Sequence, residues 1–180
     1  EISKVPLLTT ANLEDGGNGA AFEATAYGRQ MAIAAANDPK FAYTLGEIAA
    51  KDGKAVGVNW GFSPVIDLDF NFRNPITNVR TYGSDIDTVI SNAKAYTKAF
   101  HDQHVMTSIK HFPGDGADER DQHLLTSVNH LSMPAWEKTF GLVYKELIDF
   151  GTKAVMVGHI ALPAFTGDDM PATLSPKILK

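Results

Sequence analysis

Asp121 and His123 stand two residues apart at the end of a loop segment that contains Gly114 and Gly116, where the backbone is free to bring a carboxylate to an imidazole. A carboxylate that accepts the Nδ1 hydrogen fixes the ring tautomer and leaves Nε2 to exchange a proton with substrate near neutral pH. That is general acid/base chemistry. Upstream, Lys110 and His111 close an apolar run and offer donors suited to hydroxyl-rich or anionic ligands. Their expected role is binding. The chain has no cysteine, which excludes disulfides, thiolate metal sites and a cysteine nucleophile.

Other polar residues have plain structural readings. Asp115, Asp118 and Glu119 read as a solvated acidic loop, because the ligand order of an EF-hand is missing. His101 and His104 sit near a helix end, where a ring beside exposed carbonyls is ordinary. Arg80 has a partner available in Asp85 or Asp87, Asp67 and Glu14 can cap turns, and Met156 can fill core space.

The elements that must position these groups follow from hydrophobic spacing. Apolar runs at 5–10, 55–60, 105–110 and 153–158 are too short for helices and read as buried strands. Between them, helical stripes run through Phe41, Leu45, Ile48 and Ala49, through Ile86, Val89, Ile90, Ala93, Thr97 and Phe100, and through Trp136, Phe140, Val143, Tyr144, Leu147 and Ile148. Asp38-Pro39, Ser84-Asp85 and Ser132 with Pro134 mark the starts; Gly53 and Gly151 mark the stops of the first and third. Continuous apolar strands alternating with helices indicate the α/β class, with parallel strands covered by helices.

Two architectures compete, an open doubly wound sheet and a closed (β/α) barrel. Neither a dinucleotide fingerprint nor a phosphate loop occurs, since Gly16-Gly17-Asn18-Gly19 lacks the spacing and the lysine. A complete barrel takes about 250 residues. With 180 residues and four strands, the barrel reading implies an incomplete TIM-like (β/α) barrel.

Lys and Arg number 16 against 21 Asp and Glu, a net charge of -5, so nucleic acid is not an expected partner. No stretch reaches the roughly 20 apolar residues of a membrane helix. Glu1-Ile2-Ser3-Lys4 is not a basic leader. Opening on Glu1 in place of Met points to a processed start, which leaves the compartment open, leaning to the cytoplasm over secretion.

Four blocks together resemble glycoside hydrolase family 3, in particular its bacterial β-N-acetylglucosaminidase branch. They are 12–17 (Asn-Leu-Glu-Asp-Gly-Gly); Asn59 and 62–67 (Phe-Ser-Pro-Val-Ile-Asp) with 80–83 (Arg-Thr-Tyr-Gly); 110–114 (Lys-His-Phe-Pro-Gly) with 121–123 (Asp-Gln-His); and 154–159 (Ala-Val-Met-Val-Gly-His). The resemblance implies a TIM-like barrel and a retaining mechanism in which Asp121 orients His123 as acid/base. It also implies that Lys110, His111 and Arg80 hold sugar hydroxyls, with Asn12 and Met156 as further contacts, and no cofactor or metal. The family usually has aspartate at the place of Asn12, arginine at Asn18 and serine at Gln122. Its nucleophilic aspartate lies on the strand after the segment ending at Lys180, and none of Asp149, Asp168 or Asp169 fits that place.

The resulting expectation is that residues 1–180 belong to one catalytic barrel domain and lack its first strand and its later ones. The remainder of the barrel is then the required partner, the substrate is a small saccharide, and this piece alone is inactive. The alternatives are a phosphorylase on the same scaffold, a metal-dependent barrel hydrolase using His101, His104, His111, His123 and His159, and a noncatalytic sugar-binding protein.

Overall fold

A computed structural model describes residues 3–180; Glu1 and Ile2, on which the reading of the leader partly rests, lie outside the described residues. Four parallel strands lie in chain order: β1 (Thr10–Ala11), β2 (Trp60–Gly61), β3 (Met106–Phe112) and β5 (Ala154–Val157). Thr10 pairs with Trp60, Trp60 with Met106, and Ser108 with Ala154. The connections carry α1 (Gln30–Ala35), α2 (Lys40–Ala55), α3 (Ile86–Asp102), α4 (Met133–Glu137) and α5 (Phe140–Phe150). This is an α/β fold, an open arc of a TIM-like barrel. A small parallel pair, β4 (Ser127–Val128) with β6 (Ile160–Ala161), and the short helices α6 (Pro163–Thr166) and α7 (Pro176–Leu179) complete it. Among the described residues no helix is long and apolar enough to cross a membrane.

The core fills the space between sheet and helices. Leu45 and Ala49 of α2, Val89, Tyr96 and Phe100 of α3, Ile109 of β3, and Phe140, Val143 and Leu147 of α5 are fully buried. Gly46 permits the α2–α3 contact, because a Cβ there would lie 2.7 Å from the Tyr96 carbonyl oxygen. Asp85 caps α3 by accepting from the Thr88 amide at 2.8 Å, and Gly151 ends α5 in the left-handed conformation expected of it.

Several boundaries differ from the sequence expectation. At 5–10 only Thr10 is in a strand, and Val5, Leu7 and Leu8 are exposed. The Asn59 side chain takes the ladder's place there, donating to the Leu7 carbonyl at 2.8 Å and accepting from the Thr9 amide at 2.9 Å. At 55–60 helix α2 runs through Gly53 to Ala55, and the chain turns at Gly57, whose φ is +90°. Lys54 and Ala55 are strong helix formers, so the helix outlasts its expected stop. The stripe from Trp136 to Ile148 is broken at Thr139, whose φ of -122° and ψ of -99° are not helical. Ile148 is exposed, and Ser132 makes no side-chain cap.

Candidate active site

The polar residues gather at the C-terminal ends of the parallel strands, the face where such folds keep their sites. Asn12 follows β1, Phe62 follows β2, Lys110 and His111 lie near the C-terminal end of β3, and Met156 lies in β5. Together with Arg80, Gln122, His123, Val157, Gly158 and His159 they line one cavity of about 260 Å³. Six of the seven expected site residues therefore share a cavity, and the seventh, Asp121, reaches it through His123.

The floor is charged and largely buried. Lys110 is 2% exposed; its Nζ lies 2.6 Å from Glu14 Oε1 and donates to Asn12 Oδ1 at 2.8 Å. Arg80 forks onto the same carboxylate, with Nε and Nη2 each 2.8 Å from a Glu14 oxygen. Burial pushes the Glu14 carboxyl up, but the Arg80 hydrogen bond and the Lys110 charge more than reverse this and bring it to about 2. Burial also lowers the Lys110 ammonium, against the pull of Glu14. Glu14 thus holds two cations side by side beneath the cavity, and Arg80 pairs with it and not with Asp85 or Asp87. Glu14 is no turn cap.

Beneath them lies a buried carboxylate. Asp67, fully buried, accepts from the His111 amide at 3.0 Å, from the Asp115 amide at 2.8 Å, and meets His111 Nδ1 at 2.6 Å. An acceptor-only carboxylate at Nδ1 places the His111 hydrogen there and leaves Nε2 as the ring's second functional atom. The turn-cap expectation for Asp67 is replaced by that of a fixed partner for His111. Its signal in the sequence was an acid ending the apolar run Pro64-Val65-Ile66; a buried acid demands partners.

The acid/base candidate sits on the rim. Asp121 Oδ1 accepts from the His123 amide at 2.8 Å and meets His123 Nδ1 at 2.7 Å. The backbone amide and then the ring of His123 hold the Asp121 carboxyl below its ordinary value. The His123 side chain remains 67% exposed.

The acidic loop is not solvated as expected. Asp115 is buried, accepting from Asn74 Nδ2 at 2.8 Å and from Gln122 Nε2 at 2.7 Å. Burial, reinforced by the Asp67 charge, raises its carboxyl. Asp118 accepts from Ser127 Oγ at 2.7 Å and from the Val128 amide at 2.8 Å, which anchors β4; only Glu119 faces solvent, near Arg73. These partners are distant in sequence, so no local pattern announces them. Among the described residues no three of His, Asp and Glu converge in a metal-binding group. His101 and His104 lie at the end of α3, away from the cavity.

A cation-floored pocket thus lies at the C-terminal mouth of a parallel α/β arc, with a carboxylate-held imidazole on its rim, a barrel-type site whose donors suit hydroxyl-rich or anionic ligands. The glycosyl hydrolase family 3 N terminal domain model matches residues 1–180. The chain belongs to glycoside hydrolase family 3. It is 47% identical over 175 residues to a β-N-acetylglucosaminidase/β-glucosidase of Cellulomonas fimi, covering 97% of this chain and 31% of that protein. With a β-hexosaminidase of Chromobacterium violaceum it shares 32% identity over 136 residues, 76% of this chain and 37% of the relative. Among solved structures it superposes on the β-glucoside phosphorylase BglX with a TM-score of 0.95 and 46% identity, covering 98% of this chain and 34% of that one. A family 3 β-N-acetylglucosaminidase from Paenibacillus sp. str. FPU-7 gives a TM-score of 0.90 at 31% identity, over 97% and 33% of the two chains. The chain spans about a third of the length of these relatives.

Proposed function

We propose that the full-length protein is a retaining glycoside hydrolase that removes a terminal β-N-acetylglucosamine or related β-sugar. The residues described here supply its sugar floor and its acid/base. The observation that carries this reading is the 2.7 Å contact of Asp121 with His123 on the rim of a cavity floored by Lys110, His111 and Arg80. The three floor residues, with Asn12 and Met156, hold the sugar. His123, protonated on Nε2, gives that proton to the leaving oxygen as the glycosidic bond breaks, and afterwards takes a proton from the incoming water. Asp121 keeps Nδ1 protonated throughout. No carboxylate lines the cavity among the described residues, so in this reading the nucleophile comes from the remaining strands of the barrel, with the chain forming part of a single catalytic domain.

One observation favours a second reading. The acid/base is an imidazole, which in its neutral form carries no charge to repel phosphate, and a similar structure is that of a β-glucoside phosphorylase. Product analysis in phosphate buffer separates the two: hydrolysis releases free sugar, phosphorolysis a sugar 1-phosphate. Turnover of neither 4-nitrophenyl N-acetyl-β-glucosaminide nor the matching glucoside by the full-length protein overturns both.

A further inference from the structure

Gln122 stands between Asp121 and His123, yet its side chain leaves them and enters the molecule, where it is buried. Nε2 donates to Asp115 Oδ2 at 2.7 Å and Oε1 accepts from the His159 amide at 2.9 Å. Both partners are themselves fixed. The Asp115 amide is bound to Asp67 Oδ1, the oxygen that also takes the His111 amide. His159 follows Gly158, whose amide is bound to the Phe112 carbonyl at 2.8 Å. Gly158 makes room for the strap, since a Cβ there would lie 2.7 Å from Gln122 Oε1 and 3.2 Å from His111 Cβ. The contact needs a donor at one end and an acceptor at the other, which a carboxamide of this length supplies and an apolar side chain does not.

We propose that Gln122 is a positioning residue that ties the exposed Asp121–His123 bend to the buried His111–Asp67 floor, and so sets where the acid/base stands relative to the bound sugar. A flexible loop alone leaves His123 free to sample positions, and misplacement of a proton donor by about 1 Å costs on the order of a hundredfold in rate. The proposal rests on the reading of His123 as acid/base.

The test uses Gln122→Met in the full-length enzyme, with methyl and 2,4-dinitrophenyl N-acetyl-β-glucosaminide as substrates. The first needs its leaving oxygen protonated and the second hardly does. The expected result is a loss of about tenfold or more in kcat/KM on the methyl glycoside and less than about threefold on the dinitrophenyl one. The inhibition constant of free N-acetylglucosamine, which reports on the floor, is expected to stay unchanged. Equal losses on both substrates, no loss on either, or free-sugar binding that weakens in step with kcat/KM overturns the proposal. If Gln122→Met does not fold, Gln122→Asn, which keeps the carboxamide on a shorter stem, is read by the same split, and its absence overturns the proposal as well. His123→Ala distinguishes the two levels. A split there without one at Gln122 defeats the strap alone, and no split at His123 defeats the acid/base reading with it.

Discussion

The molecule holds two aspartate–histidine pairs with almost the same contact, 2.6 Å for Asp67–His111 and 2.7 Å for Asp121–His123. Their surroundings differ. Asp67 is fully buried and takes two backbone amides besides the ring, whereas Asp121 and His123 lie on a solvent-facing bend. An imidazole whose Nδ1 meets a fully buried carboxylate is held in one orientation as a fixed donor or acceptor; an imidazole on an open rim is free to approach substrate and water. On the proposed reading, the same hydrogen bond serves a binding group in one place and an acid/base in the other, and the environment separates the two roles.

The comparison breaks first at His123. In the full-length enzyme His123→Ala is expected to cut kcat/KM on unactivated glycosides by about 10²–10⁴-fold with no change in thermal midpoint, because the ring is exposed. Steady-state kinetics and a melting curve check both halves. On the buried side, Glu14→Gln leaves Lys110 and Arg80 facing each other without their counter-charge. A loss of about 3–5 kcal/mol in urea unfolding follows for a broken buried pair, together with weaker sugar binding.

The pH dependence has the sign of a depressed carboxyl. Glu14 falls from an ordinary 4.5 to about 2 in the folded protein, so its stabilisation is complete above about pH 4.5 and drains away as pH falls towards 2. The shift corresponds to on the order of 3 kcal/mol before the burial cost of Lys110 is subtracted. Asp115, raised by burial, acts in the opposite sense and flattens the curve. Unfolding measured across this window is expected to show a steeper acid-side slope in wild type than in Glu14→Gln, which retains the shallower contribution of other depressed carboxyls such as Asp85 and Asp121.

The smallest effects sharpen the contrast between the pairs. Asp67→Asn is expected to cost about 1.5–3 kcal/mol, the range for hydrogen bonds to a charged group. Asp121→Asn, on the surface, is expected to leave the thermal midpoint in place while lowering kcat. Equal thermal shifts in the two variants would erase the distinction.

The rim was legible in the sequence because it is local: Asp121 and His123 are two residues apart on a glycine-containing bend, and Lys110-His111 of the floor stand at the end of an apolar run. The acids that hold the floor residues in place were not. Glu14 joins Arg80 and Lys110 across the sheet, and Asp67 meets His111 from a neighbouring strand end, so these contacts exist only once the strands are in register. Asp115 misled for the same reason, since an acid among glycines and acids looks solvated until Asn74 and Gln122 cover it. Strand positions erred where a side chain, that of Asn59, stood in for backbone pairing.

The most direct test of the acid/base assignment is the dependence of kcat/KM on leaving-group pKa, measured for wild type and His123→Ala over a series of aryl and alkyl N-acetyl-β-glucosaminides. A slope markedly steeper in the variant, with the two lines converging at the best leaving groups, is the predicted result. Parallel lines would show that His123 does not protonate the departing oxygen.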